Sequence, residues 1–347
     1  MKIIHISDLH IDSKMETNFS AIQSKQRNNE ILVSFEKLFD IMEKENVSAM
    51  IIAGDMFDTK KISSKAFTYV LELIKKHPNK KFFYVSGNHD NETKMLESSE
   101  EIPNNLIIFD KEFSKFGLSK NVMIGGIRLT STNVVDLGKQ INFDENSLNI
   151  CVLHGMLTKS TSNVNNENIY IGEIKDKNID YLALGHIHSY SSGKIDNRCT
   201  YVYSGCLEPR GFDEIGDKGF VMIHIDEEAH KISHEFVPHA MRKFVEINTD
   251  ITDLSNPKQI LDKVLENLEN TSKNDIVKVN IIGEYDESTT KGLDLVSSEL
   301  NQRYYFAKVK DRSRLKISIS SFDNALMPVK ITSSLRSSGI FLLSSTL

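Results

Sequence analysis

Four short motifs place metal-binding side chains along this chain. They are Asp8-Leu9-His10, Gly54-Asp55-Met56-Phe57-Asp58, Gly87-Asn88-His89-Asp90 and Gly185-His186-Ile187-His188, with His154 between the last two. Carboxylate, imidazole and amide oxygen are the donors that Mn²⁺, Fe²⁺ or Zn²⁺ would take, and no thiolate stands among them to favour a softer ion. Asp8, His10, Asp55, Asn88, His154, His186 and His188 are too many donors for one first-row cation once water is counted. They suit two cations that share Asp55, each carboxylate oxygen facing a different ion. Two ions about 3.5–4 Å apart clamp a phosphate and bring a shared water to a pKa of about 7. The chemistry such a site would support is hydrolysis of a phosphate ester. Each motif alone is ordinary, and turn preferences explain G-N-H-D as well as ligation does. The four in order, each at a strand end, are not explained by folding needs.

The motifs require strands that deliver them. Residues 3–6, 50–53, 82–85 and 181–184 are short, mostly apolar runs, and each leads straight into a motif. Such runs fit strands covered on both faces. In layered α/β folds the carboxyl ends of such strands are where sites are assembled. Gly54 permits a sharp turn just before Asp55. A polar connection spans 11–26. Residues 29–46 then carry Ile31, Leu32, Phe35, Leu38, Phe39 and Met42 on one face of an amphipathic helix. Ser63 and Ser64 can cap a helix bearing Phe67, Val70, Leu71 and Ile74, which His77-Pro78 ends. The first 90 residues therefore read β-α-β-α-β, a parallel sheet with covering helices.

Strands are then expected at 105–110, 121–125, 127–132, 148–153, 180–184, 200–204, 219–226 and 231–238, with few helices between. That texture points to a second, more antiparallel sheet packed on the first. Beyond about 240 the order is strand 244–248, helix 257–270, strand 276–282, helix 289–301 and strand 304–310. The expected fold is mixed α/β, a two-sheet sandwich flanked by helices with a small α/β unit after it. The division is 1–240, 241–311 and a Ser-rich tail at 312–347.

The 347 residues carry 48 acidic and 42 Lys or Arg side chains, a net charge of −6. This excludes wholesale electrostatic attraction to nucleic acid or anionic membrane, but not a local basic groove. Lys14, Lys25, Arg27, Lys60, Lys61, Lys65 and Arg210 are its candidates. No apolar run approaches the roughly 20 residues of a membrane span. The N-terminus opens on the first strand without a signal-peptide pattern. Cys151, Cys199 and Cys206 form no C-x-x-C pair and read as small buried residues of a reduced, cytoplasmic compartment. His77 suits a helix C-terminus. His5, His224, His230, His234 and His239 lie in or beside strands and are set aside.

D-x-H, G-D-x-x-D, G-N-H-D, a later His and G-H-x-H, in that order, resemble the calcineurin-like metallophosphoesterase superfamily over 1–238. The segments DLHIDSK, VSAMIIAGDMFDT and SGCLEPRGFDEIGDKGF resemble its DNA-repair nuclease branch, the SbcD and YhaO-like exonucleases. The unit after Lys243 resembles that branch's DNA-capping domain. The resemblance implies one ion, Mn²⁺, on Asp8, His10, Asp55 and His188, and a second on Asp55, Asn88, His154 and His186. It implies that His89 is the general acid or transition-state stabiliser at the leaving oxygen. Asp90 would orient it, and Asp58 would do similar work for the 8–10 loop. The implied activity is a 3′→5′ DNA exonuclease with endonuclease action near ends or hairpins. A homodimer and an SMC-like coiled-coil ATPase partner are implied with it. The branch continues into partner-gripping helices, and 334–343 reads as their start, cut short at Leu347. Two rivals stay open. One is a phosphatase or phosphodiesterase acting on a small molecule or phosphoprotein. The other is a non-catalytic DNA-end-binding subunit of an ATPase complex.

Overall fold

The computed structural model describes residues 1–15, 19–58, 63–90, 102–161 and 165–316. The chain opens with β1 (Lys2–Ile6), α1 (Ala21–Lys44), β2 (Ala49–Ala53), α2 (Ser64–Lys75), β3 (Lys81–Val85) and β4 (Leu106–Phe109). The four strands pair in parallel and in chain order. The β-α-β-α-β reading holds. α1 starts at Ala21, inside the stretch expected to be a polar connection. Ser20 and Gln23 form a reciprocal capping box there. The first turns of α1 are polar, so apolar periodicity does not reveal them.

Alternate residues of these strands serve two cores, because successive strand side chains face opposite ways. Ile4, Ile6, Met50, Ile52, Phe82 and Tyr84 pack with Phe35 and Leu38 of α1 and Val70 and Ile74 of α2. Ile3, Ile51, Ala53, Phe83 and Val85 face the second sheet.

That sheet uses β5 (Ser114–Gly117), β6 (Val122–Gly126), β7 (Leu148–His154), β10 (Tyr181–Gly185), β11 (Ser191–Lys194) and β12 (Thr200–Tyr203). A small parallel pair, β8 (Met156–Thr158) and β9 (Asn168–Tyr170), projects after β7. The strand order is β11-β12-β10-β7-β6-β5. β6, β7, β10 and β12 run parallel, and only the edge strands β5 and β11 are antiparallel. The expectation of a more antiparallel sheet is corrected. Its crossovers are irregular segments with single turns such as Leu137–Gln140, not long amphipathic helices, so no helical period announces them. Residues 127–132 form no strand. Thr130 and Asn133 exchange side chain to backbone hydrogen bonds and close a turn there.

β13 (Gly219–Asp226) and β14 (Lys231–Pro238) return to the first sheet, β13 lying antiparallel to β1. Then come β15 (Phe244–Asp250), α3 (Pro257–Asn267), β16 (Ile276–Ile282), β17 (Glu284–Tyr285), α4 (Leu293–Arg303), β18 (Phe306–Asp311) and β19 (Arg314–Leu315). β15, β16 and β18 form a parallel sheet. Ile260, Val264, Val296 and Leu300 of its helices pack on Val277, Val279 and Ile281. Phe244, Ile276 and Phe306 join the first core instead. Lys60, Lys61 and residues 317–347, with the 334–343 segment, lie outside the described residues. No helix among the described residues is long and apolar enough to cross a membrane.

A buried ion network joins this last sheet to α1. Arg27 is fully buried, which removes it from any basic groove. Its guanidinium donates to Glu30, to Glu208 at 3.2 Å and to the Pro209 carbonyl at 2.8 Å. Arg242 donates to Glu30 at 2.8 Å and to the Asn274 carbonyl at 2.8 Å, and lies 3.6 Å over the Tyr305 ring. The Met241 N–H donates to Glu208. Removing one partner of a buried network leaves an uncompensated charge, at a cost of about 3–5 kcal/mol. Arg27→Ala is expected to lose stability in that range in urea denaturation, with the slope of the transition unchanged.

Candidate metal centre

The carboxyl ends of the two sheets meet on one side of the sandwich. Asp8 follows β1, Asp55 follows β2, Asn88 follows β3, His154 ends β7, and His186 and His188 follow β10. Asp8, His10, Asp55 and His186 all have positive φ, at 52°, 47°, 48° and 93°. Backbone so placed costs about 1–3 kcal/mol per residue and persists only where surroundings hold it. Here the 8–11 loop lies along the 54–58 loop. Asp8 N–H donates to Gly54 O, His10 N–H to Asp55 O and Ile11 N–H to Met56 O, each at 3.0 Å. His186 N–H donates to both Asp8 oxygens, at 3.0 and 3.1 Å.

The seven expected donors converge in two groups. In the first, His10 Nε2 lies 3.2 Å from His188 Nε2, and His188 Nε2 lies 3.7 Å from Asp8 Oδ1. In the second, His154 Nε2 lies 3.1 Å from Asn88 Oδ1, and His186 Nδ1 lies 3.4 Å from the same oxygen. Asp55 stands between them, its Oδ2 3.8 Å from His10 Nε2 and 3.4 Å from His154 Nε2. Its Oδ1 accepts the His89 N–H at 2.9 Å. The expectation of one Asp55 oxygen per ion is therefore revised: a single oxygen faces both groups.

Hydrogen bonds fix which ring nitrogen carries the proton. His10 Nδ1 is 3.0 Å from Asp58 Oδ1, His188 Nδ1 is 2.7 Å from Glu214 Oε1, and His154 Nδ1 is 2.9 Å from the Ala53 carbonyl. Carboxylate and carbonyl oxygens only accept, so each Nδ1 carries hydrogen and Nε2 is the nitrogen turned inward, able to offer a lone pair to an ion once any proton on it is lost. His10 Nε2 and His188 Nε2 face each other at 3.2 Å, a spacing that a proton on one ring or a metal ion between them would satisfy. The donor set fits two divalent ions: Asp8, His10, Asp55 and His188 would hold one, and Asp55, Asn88, His154 and His186 the other.

Asp58 stands beside His10, as expected, and also occupies the place at His89 expected of Asp90. Asp58 Oδ1 lies 3.3 Å from His89 Nδ1 as well as beside His10. Asp90 accepts from Phe57 N–H at 2.9 Å, from Gly87 N–H at 2.8 Å and from the Tyr84 hydroxyl. Asp90 thus ties the Asp55 and Asn88 loops together, while Asp58 faces His89. Sequence reading missed Glu214 and Lys218 and gave Arg210 a different role. Arg210, a groove candidate, is instead paired with Glu214 at 3.0 Å, and Lys218 donates to the His188 carbonyl at 2.7 Å. Their only signal is the segment at 204–220 that carries the family resemblance.

A family model for calcineurin-like phosphoesterases matches residues 1–190. The chain belongs to that family. It is therefore a metal-dependent phosphoesterase, of a family that works with a dimetal centre. The phosphoesterase is 25% identical over 79% of its length to "DNA double-strand break repair protein Mre11" of Sulfolobus acidocaldarius, covering 73% of that protein. It is 25% identical over 68% of its length to "Uncharacterized metallophosphoesterase YhaO" of Bacillus subtilis, covering 60% of it. It is 23% identical over 73% of its length to the SbcD subunit of the nuclease SbcCD of Staphylococcus epidermidis, covering 74% of it.

Burial alone would lower the His154 pKa, but the hydrogen bond and charge of Asp55 lift it to about 9. Burial would raise the Asp55 carboxyl, and His154 instead holds it below the carboxylate range. At pH 7 the metal-free His154 carries a second proton that an ion must displace. Burial would lower the His188 pKa as well, but the hydrogen bond to Glu214 raises it. Affinity for Mn²⁺ is expected to rise with pH up to about 9 and to level above it. Calorimetry in buffers of different ionisation enthalpy should show at least about one proton released per protein at pH 7. A Cβ on residue 87 would sit 2.1 Å from Asp55 Oδ1 and 2.6 Å from Asp55 N. Gly87→Ala is expected to abolish binding of at least one Mn²⁺ in the same titration.

Proposed function

We propose that this phosphoesterase is a two-metal phosphodiesterase that hydrolyses DNA in repair, with Mn²⁺ as its ion. The observation that carries the reading is the convergence of all seven donors, with His89 beside them and half exposed. When bound, two such ions supply charge for the phosphoryl oxygens and acidify the attacking water. The chain's own residues do the rest. Asp55 keeps the two groups of donors in register, and its Oδ1 holds the His89 backbone. With Nδ1 turned to Asp58, His89 has Nε2 left to give a proton to the leaving 3′ oxygen. Asp58 stabilises the imidazolium that gives it.

DNA as substrate is supported by the relatives named for double-strand break repair and for a nuclease subunit. The β15-β16-β18 sheet with α3 and α4, packed on the core through Phe244 and Phe306, is read as the DNA-capping unit of residues 241–311. The reading includes 3′→5′ polarity, endonuclease action near ends, a homodimer, and an SMC-like ATPase as second subunit.

The test is hydrolysis by the purified chain with Mn²⁺ on linear duplex DNA, single-stranded DNA and bis-p-nitrophenyl phosphate. DNA cleavage is expected that disappears in Asp55→Asn. His89→Ala is expected to lose about 10²–10⁴-fold in rate with metal binding intact. Cleavage of the small ester alone would transfer the proposal to a small-molecule phosphodiesterase. No cleavage of any ester by a metal-loaded chain would transfer it to a DNA-end-binding subunit.

A further inference from the structure

Glu214 and Arg210 stand outside the seven donors, yet they meet one of them. The Glu214 side chain is 4% exposed, and both its oxygens are engaged. Oε1 receives His188 Nδ1–H at 2.7 Å and Arg210 Nη2 at 3.0 Å. Oε2 receives the Arg210 backbone N–H at 2.6 Å and faces Cys206 Sγ at 3.7 Å. Arg210 Nη2 is also 3.2 Å from His188 Nδ1. A guanidinium only donates, so Glu214 is the acceptor for both. Arg210 Nη1 reaches the other way, to 3.7 Å from Asp58 Oδ1. Asp58 is the carboxylate that receives His10 Nδ1–H. One guanidinium therefore lies between the two carboxylates that orient the two imidazoles of the first donor group.

An internal ion pair could serve only to anchor its loop. This loop has other anchors. Arg27 donates to the Pro209 carbonyl, Lys218 donates to the His188 carbonyl, and Gly219 N–H donates to Cys206 O at 3.3 Å. What Glu214 alone supplies is an acceptor at His188 Nδ1. A ligand histidine whose other nitrogen is held by a carboxylate is fixed in tautomer and aim, and losing that partner typically costs about 10–100-fold in metal affinity.

We propose that Glu214, held by Arg210, is a positioning residue that sets the tautomer and aim of His188, and so the affinity of the ion held by Asp8, His10, Asp55 and His188. The proposal rests on the two-ion reading above. It is tested by titrating the full-length, metal-free chain with Mn²⁺ in a calorimeter. Wild type is expected to take two ions. Glu214→Ala is expected to lower the metal-free melting temperature, because Arg210 loses its buried partner, and to weaken one ion about 10–100-fold while leaving the other unchanged. Nitrogen-15 spectra of the metal-free protein should show His188 in the Nδ1–H form, and a tautomer mixture in the variant. Should the alanine variant not fold, Glu214→Gln carries the test. It keeps an acceptor without the charge, and a several-fold loss at the same ion is expected. A wild-type chain that takes two ions, with the folded variant unchanged, overturns this proposal alone. Equal weakening of both ions also overturns it, in favour of loop anchoring. A wild-type chain that binds no Mn²⁺ overturns the two-ion reading beneath it as well.

Discussion

At the tip of β2 one carboxylate has to serve two groups of donors, each drawn from both sheets. Asp55 does so with Oδ2 alone, because Oδ1 is taken by the His89 N–H. That arrangement constrains everything near it. Residue 87 must lack a side chain, since a Cβ there would enter the Asp55 carboxylate. Gly54 must also stay bare, because a Cβ would lie 2.1 Å from His154 Nδ1. Asp90 then binds the two loops through their backbone N–H groups. Burial and the Asp55 charge push the Asp90 carboxyl up to about 6, a cost tolerated where loop geometry is decisive.

The three imidazoles with inward Nε2 atoms follow one rule by different means. His10 leans on Asp58, His188 on Glu214 and His154 on a main-chain carbonyl. The acceptor is always built before the ion arrives. The metal-free site is therefore held by positive-φ turns with its ring nitrogens already aimed, and an arriving ion must displace the proton that His154 carries. Metal binding returns stability that the fold has given up there.

The segment from Glu208 to Glu214 links this centre to the rest of the molecule. At one end Glu208 and the Pro209 carbonyl hold Arg27, which shares Glu30 with Arg242 and the last sheet. At the other end Arg210 and Glu214 hold His188. The docking of the β15-β16-β18 sheet and the aim of a donor thus pass through seven consecutive residues. Both ends are buried polar contacts, which have few alternative arrangements.

The strands that carry the motifs, the alternation of strand and helix up to β3, and the seven candidate donors that the fold brings together were legible in the sequence, because each is a local pattern. An apolar run, a glycine and a donor within a few residues need no partner to be seen. What remained hidden needed distant parts of the chain. The parallel pairing of β6, β7, β10 and β12 is set by register between strands whose crossovers carry no helical period. Glu214 meets His188 across 26 residues and nothing local marks it as an orienting group, whereas Asp58, which meets His10 across 48, was pointed to only by the family resemblance. The sequence by itself decided which side chains could hold metal. Only the tertiary structure decided which nitrogen of each ring faces inward and which Asp55 oxygen is left to share, because those choices belong to hydrogen bonds made after the sheets have packed.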